Sequence, residues 1–231
     1  MAGRSLAGAA ADGCYDATRA AALSGVPKTT VYWWATHGVV VPSISPVREK
    51  LWSYSDLMAL RIVSWLRHAK HAEAGELLPA SPMPRVRRAM ALIDEIGLEL
   101  WWRAPADEHD SPLLVDAGGN IYVRDGDQVL NLDRQPTLLP DRTFGLTAPF
   151  TAAGGDGPDL RVPRPHLRIV PAKVTGEPHI EHSRVTTPTV AALATRGYSS
   201  EQIAAMYDLA PVAISESIDL ERQLTGAALV A

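Results

Sequence analysis

Apolar positions at helical spacing, bounded by capping residues, dominate both ends of the chain, whereas short apolar runs between Gly, Asp and Asn occupy its middle. Near the start, Asp16 is a good N-cap, Ala20, Ala21 and Leu23 give a first short helix its buried side, and Gly25 supplies the positive φ that ends it. Pro27 restarts the chain at a helix N-terminus, where its missing N–H costs nothing. A second helix follows as far as Gly38, with Trp34 inward and Lys28, Thr29, Thr30, Tyr32, Thr36 and His37 toward solvent. Val39-Val40-Val41, a Ser/Pro-rich tip and Leu51-Trp52 predict a hairpin wing carrying Arg48 and Lys50. Ser53 with Asp56 has the spacing of a capping box and opens a third helix from about Tyr54 to Lys70, with Leu57, Leu60, Ser64 and Trp65 facing inward.

The stretch from Ala72 to Pro84, rich in Pro and Gly, predicts a linker. Residues 85–96 then read as a helix with Val86, Met90 and Ile93 on one side, which either builds a dimer interface or packs onto its own domain. Leu113–Val115, Ile121–Val123 and Val129–Leu132, separated by Gly118-Gly119 and similar turns, predict a small antiparallel sheet. No lysine and no helix follow Gly118-Gly119, so it is a hairpin signal and not a phosphate loop. Asp107, Glu108 and Asp110 read as a solvated loop, since nothing apolar surrounds them to shift a pKa. Toward the C-terminus, Leu167–Pro171 predicts a short strand. Thr187-Pro188 starts a helix with Val190, Leu193 and Ala194 inward that ends at Gly197. Ser199 with Gln202 forms a second capping box, and Pro211 opens a last helix with Ile214, Ile218, Glu221 and Leu224 at helical spacing.

These elements predict an α+β protein, mainly α, in which two small winged helix-turn-helix-like units are joined by a small antiparallel sheet region. The expected division is a flexible tail over 1–13, a winged unit over 14–72, a helix plus sheet over 84–147, a linker over 148–165 and a helical domain over 166–231. The net charge of −4 hides an asymmetry. Residues 1–72 hold eight Lys/Arg against four Asp/Glu, residues 73–160 hold seven against fifteen, and the remainder is balanced. A basic head followed by an acidic middle suits a DNA-contacting module attached to something that faces protein. Four of the six tryptophans, Trp33, Trp34, Trp52 and Trp65, lie in the head, where most are expected to build the core. Trp33 is the one expected to stack or to contact phosphate.

The single cysteine, Cys14, excludes an internal disulfide. His179 and His182 lie near Glu181 without a further thiol or imidazole, so neither a metal nor another cofactor is expected. No Ser/His/Asp constellation stands at useful spacing, and no enzymatic activity is expected. No run approaches the ~20 apolar residues that cross a bilayer, and no signal-peptide core is present, so a cytoplasmic protein without membrane contact is expected.

The pattern Ala20-Ala21-x-Leu23-x-Gly25-Val26-Pro27-x-x-Thr30-Val31-x-Trp33-Trp34-x-x-x-Gly38, followed by Trp52-Ser53-x-x-Asp56-Leu57, resembles the winged helix-turn-helix of the MerR family. That resemblance implies that the second helix enters a major groove while the wing clamps flanking phosphates. The implied contacts on double-stranded operator DNA are Thr18, Arg19, Lys28, Thr29, Thr30, Tyr32, Trp33, Thr36, His37, Arg48 and Lys50. Many members carry arginine where this chain has Tyr32, whose hydroxyl donates without charge. A palindromic operator implies a homodimer or a higher assembly. Cys14 lies before the first helix, unlike the C-terminal thiolates of metal-sensing members.

A second resemblance rests on Ile169-x-Pro171, Gly176-Glu177-Pro178-x-Ile180, Ser183-Arg184-Val185, Gly197-Tyr198-Ser199, Ile203-Ala204-x-x-Tyr207 and Ile218-x-x-Glu221. These residues resemble domain-of-unknown-function family 433, found in antitoxins of the VapB type; members often have glycine where this chain has His182. Together the two resemblances imply an antitoxin of a type II toxin–antitoxin system. Such a protein represses its own operator and neutralises a PIN-domain ribonuclease by direct binding. Arg184 either bonds carbonyls inside its unit, contacts phosphate, or reaches the toxin's active-site carboxylates. The alternative is a stand-alone MerR-like transcriptional regulator whose middle sheet responds to a small molecule.

Overall fold

The computed structural model describes residues 12–71, 77–96, 111, 113–145 and 157–230. It is an α+β structure, mainly α, with helices at both ends of the sequence and small antiparallel sheets between. The chain forms two compact units, one from residues up to Leu57 together with those from Asp156 onward, the other from Met58 to Gly155. The division expected from sequence is therefore revised, because most of the predicted winged unit and the whole predicted C-terminal domain fall in one unit.

In the first unit, α1 (Ala17–Ser24) is capped by Asp16, whose side chain accepts from the Arg19 N–H, and Gly25 closes it at φ 70°. Ala17, Ala20, Ala21 and Leu23 are buried on its inner side. Helix α2 (Lys28–Thr36) follows directly, with Val31 and Trp34 buried. The three-valine run 39–41 forms no strand. Instead the wing is a narrow hairpin closed by one bridge, Ser45 to Leu51, and Trp52 pairs with Tyr15 through reciprocal backbone bonds of 2.9 Å. A strand needs a partner ladder as well as β-prone residues, and none lies beside 39–41 among the described residues.

Asp56 replaces the usual Glu in its capping box and does more than cap. Its Oδ2 accepts from Ser53 N–H at 2.7 Å and from Ser43 N–H and Oγ at 2.9 and 2.8 Å, which ties the wing to the start of α3 (Tyr54–Arg67). Burial holds this carboxyl above its ordinary range despite those donors. Leu57 and Leu60 lie inward as expected, while Ser64 and Trp65 are only half-buried.

The second unit centres on a four-stranded antiparallel sheet in the order β5-β4-β3-β6. Its strands are β3 (Leu113–Asp116), β4 (Ile121–Asp125), β5 (Gln128–Leu130) and β6 (Thr143–Gly145). Asp116 closes the Gly118-Gly119 turn by accepting from Gly118 N–H, Asn120 N–H, Asn120 Nδ2 and Tyr122 Oη. Partial burial pushes that carboxyl up, but these bonds outweigh it and hold it below the usual range. Earlier in this unit β1 (Lys70–His71), at the expected end of the third helix, pairs with β2 (Leu77–Leu78), in the expected linker. Helix α4 (Met83–Ile96) buries Val86, Ala89, Leu92 and Ile93 and packs on β4. Asp107, Glu108 and Asp110 lie outside the described residues.

The C-terminal part of the first unit pairs β7 (Leu167–Arg168) with β8 (His179–Ile180) around a tight 3-10 turn, Val174–Gly176. Three helices follow: α5 (Thr187–Thr195), α6 (Ser200–Tyr207) and α7 (Pro211–Val230). The Ser199/Gln202 capping box is formed in both directions. Residues 157–165 were expected to be linker, yet Leu160 and Pro163 are buried and the Leu160 carbonyl accepts from Tyr54 Oη at 2.7 Å. Asp12 and Gly13, expected in the loose tail, are buried as well. No helix among the described residues is long and apolar enough to cross a membrane.

Candidate nucleic-acid interface

The side chains that α2 turns outward follow from helical spacing once Val31 and Trp34 face the core. Lys28, Thr29, Tyr32, Trp33, Thr36 and His37 are exposed, and Thr30 is half-buried. Tyr32 and Trp33 leave 43% and 48% of their surface in solvent, yet both rings are braced. Tyr32 meets the buried Trp52 edge-on, with centroids 6.1 Å apart. Trp33 stacks on His37 at 4.1 Å with 19° between planes, and His37 Nδ1 lies 2.8 Å from the Trp33 carbonyl. The Lys28 ammonium donates to Thr18 Oγ1 at 2.7 Å, holding the two exposed N-terminal polar groups together. In the wing, Arg48 is exposed, and half-buried Lys50 donates to the Val47 carbonyl at 3.3 Å.

Arg19 does not belong to this surface. Its side chain is only 16% exposed and sits between two carboxylates. Nε and Nη2 donate to Glu177 Oε2 at 2.9 and 2.6 Å, and Nη1 and Nη2 donate to the two oxygens of Glu221 at 2.9 and 2.8 Å. Thr187 Oγ1 donates to Glu221 as well. Desolvation pushes the Arg19 pKa down, but the Glu221 hydrogen bonds and both carboxylate charges win and raise it. Burial nonetheless keeps the Glu177 carboxyl above its ordinary range. A guanidinium with four donor contacts to carboxylates of its own chain is not available to a phosphate, which removes Arg19 from the expected DNA contacts.

The same region holds two further ties. Tyr15 Oη donates to the Gly176 carbonyl at 2.7 Å, and Cys14 N–H donates to the Thr175 carbonyl at 2.9 Å. Burial raises the Tyr15 pKa, so the hydroxyl stays protonated as this bond requires. The side chains that hold Arg19 went unassigned in the sequence, although one signal was present. Glu221 interrupts an apolar stripe on the last helix, and a carboxylate at a core-facing position needs a partner.

In the C-terminal part, Arg184 is exposed and bonds no carbonyl among the described residues. His182 occupies the left-handed region at φ 61°, so the turn is kept although glycine is absent. His179 is buried with Nδ1 3.0 Å from the Glu177 carbonyl, whereas the His182 side chain is 93% exposed. The two imidazoles therefore do not share an environment. Helix α6 and its flanking turns expose Tyr198, Met206, Tyr207 and Val212 beside Glu201 and Asp208. In the second unit, a cleft of about 200 Å³ is lined by Leu114, Arg124, Leu139 and Thr143. Pockets that enclose small molecules usually span roughly 300–1,000 Å³.

Residues 168–219 match a family described as "Protein of unknown function (DUF433)". No protein of curated function matches the chain. Among solved structures, the chain is similar to the X-ray crystal structure of Rv2018 from Mycobacterium tuberculosis, at 17% identity and a TM-score of 0.46, over 89% of this chain and 96% of that one.

Proposed function

We propose that the chain is the cytoplasmic antitoxin and autorepressor of a type II toxin–antitoxin pair. In this reading α2 enters the major groove of operator DNA, while Arg48 and Lys50 of the wing lie along the flanking phosphates. The C-terminal part, through Arg184 and the exposed side chains of α6, binds a PIN-domain ribonuclease and covers its acidic site. The observation that carries the reading is the outward face of α2, an ordered, solvent-open surface with Lys28 at its start and no carboxylate between Lys28 and His37. The resemblance of the C-terminal motifs to a family found in VapB-type antitoxins supports the second half. Glu201 in the first turn of α6 and Asp208 at its C-terminal end favour protein over nucleic acid as its partner.

Co-expression with the product of the adjacent open reading frame tests both halves. The neighbour is expected to arrest growth alone, to be neutralised by this chain and to co-purify with it. A harmless neighbour, or two proteins that separate on purification, overturns the antitoxin reading. For DNA, Lys28→Ala and Lys50→Ala should each weaken binding across sequences and lower the salt slope by about one. Unchanged slopes in both remove them from the interface, and absence of DNA binding by the complex overturns the repressor reading. A palindromic operator also demands two heads, so the bound species should hold at least two copies of the chain.

A further inference from the structure

The side chains that read base edges through hydrogen bonds are arginine and lysine at guanine, asparagine and glutamine at adenine, carboxylates at cytosine, and serine or threonine at several bases. Between Lys28 and His37 there is no arginine, asparagine, glutamine or carboxylate, and the one lysine, Lys28, donates to Thr18 Oγ1 at 2.7 Å. What α2 offers instead is two large rings, Tyr32 and Trp33, framed by the exposed Thr29 and Thr36. Thr36 Oγ1 is already committed to the Tyr32 carbonyl at 2.9 Å, which turns that hydroxyl back onto its own helix. The exposed face is therefore mainly apolar at its centre. In the major groove the one apolar feature that distinguishes a base is the 5-methyl group of thymine.

Both rings are also held before any ligand arrives. Tyr32 is fixed by its edge contact with Trp52, which is fully buried, and Trp33 by its stack on His37. Rings already ordered lose little rotamer freedom on binding, so more of the contact energy appears as affinity. Charge decides between occupants. Lys28 starts the helix, and the wing carries Arg48 and Lys50 against the single carboxylate Glu49, a cationic excess that suits a phosphate-lined groove.

Resting on the DNA-binding reading above, we infer that Tyr32 and Trp33 are the specificity-determining residues of α2 and that they recognise thymine 5-methyl groups in a T-rich major groove. Lys28, Arg48 and Lys50 supply sequence-independent attraction. Specificity at the contacted positions then comes from methyl contact.

The test uses the full chain and a duplex it selects from a random pool, in two forms: the selected duplex and the same duplex with every thymine replaced by deoxyuridine. Only the methyl groups differ. Burying one methyl changes affinity by roughly fourfold, so two contacted thymines predict deoxyuridine binding weaker by about tenfold or more. Trp33→Ala and Tyr32→Ala should each bring the ratio between the two duplexes closer to one, and the double variant should abolish it. Their binding to the deoxyuridine form should fall less than their binding to the thymine form. Both positions are exposed, and thermal unfolding of each variant checks that the fold is kept. Equal binding of the two duplexes by the native chain overturns the inference and leaves the DNA-binding reading intact. Failure to select any duplex overturns both. A thymine-to-deoxyuridine ratio unchanged in the double variant, with loss of the co-purifying partner protein instead, assigns the rings to a protein surface and also overturns it.

Discussion

Arg19 offers the sharpest discrimination between a DNA contact and an internal brace. Replacing it with alanine removes four charge-assisted hydrogen bonds and leaves Glu177 and Glu221, 23% and 13% exposed, facing each other without a cation. Removing one member of a buried ion pair costs about 3–5 kcal/mol, because the remaining charge stays desolvated. The exposure of these side chains admits some water, which places the expected loss near the lower end, at about 3 kcal/mol. For a folding unit of this size, that corresponds to a melting temperature lower by roughly 10 °C. The six tryptophans make fluorescence-detected thermal unfolding a direct assay.

The deficit should depend on pH in a definite direction. Burial already raises the Glu177 carboxyl, and loss of Arg19 beside the negative Glu221 raises it further. A group whose folded pKa is raised stabilises below its unfolded value, and that contribution is lost as pH rises through its folded one. The Arg19→Ala variant should therefore regain part of its stability on acidification, as one carboxylate takes up a proton. Arg19→Ala with Glu177→Gln and Glu221→Gln should recover stability at neutral pH, since no buried charge is left unpaired. If Arg19→Ala instead melts within about 1 °C of the native chain while its DNA salt slope falls by about one, Arg19 is a phosphate contact and the reasoning fails.

Gly176→Ala should cost at least about 3 kcal/mol, since φ is 81° there and a Cβ would overlap the Tyr15 hydroxyl; Tyr15→Phe should relieve only part of the loss in the same melting assay. His182→Gly should hold or raise the denaturant midpoint, by up to about 1 kcal/mol of stability, because the exposed imidazole packs on little while the left-handed backbone strains it; a clear loss contradicts that account. Asp116 has a lowered pKa, so its stabilisation is complete above the unfolded value and is lost as pH falls below about 4. Asp116→Asn should accordingly flatten the acid limb of the stability profile, and an unchanged limb sinks the assignment.

The parts of the fold that were legible in the sequence are those whose causes are local. Asp16, Gly25, Ser199 with Gln202 and Ser53 with Asp56 act within three or four residues of the helix ends they define, and each does so as expected. The inward Trp34 and outward Trp33 follow from helical spacing against Val31. The misread parts depend on distant partners. Arg19 stands 158 residues from Glu177 and 202 from Glu221, so its neighbours in sequence placed it on an exposed polar edge. Val39–Val41 have the composition of a strand but, among the described residues, no ladder to join. Leu77 and Leu78 lie in the stretch from Ala72 to Pro84 that looks like a linker by composition, yet they pair with Lys70 and His71. Of the candidate surface, helical spacing identified the exposed residues of α2, whereas it carried no sign of which rings the wing and His37 would brace.

The placement of Arg19, Tyr15 and Cys14 changes how the two recognition surfaces are related. A head joined to a C-terminal domain by a free linker would bind DNA and partner independently, coupled only through effective concentration. Here α1 packs against α7, Tyr15 and Cys14 bond the Val174–Gly176 turn, and Leu160 is buried with Tyr54 bonded to its carbonyl. A fragment ending at residue 72 would therefore lose both carboxylates of Arg19 and the apolar cover on α1. Such a fragment is expected to unfold or aggregate, and its failure to bind DNA would say nothing about where DNA binds. Removing a surface without removing the brace requires point substitutions on the outward side of α2 or α6. Those positions are the ones at which loss of DNA and loss of partner protein can be separated.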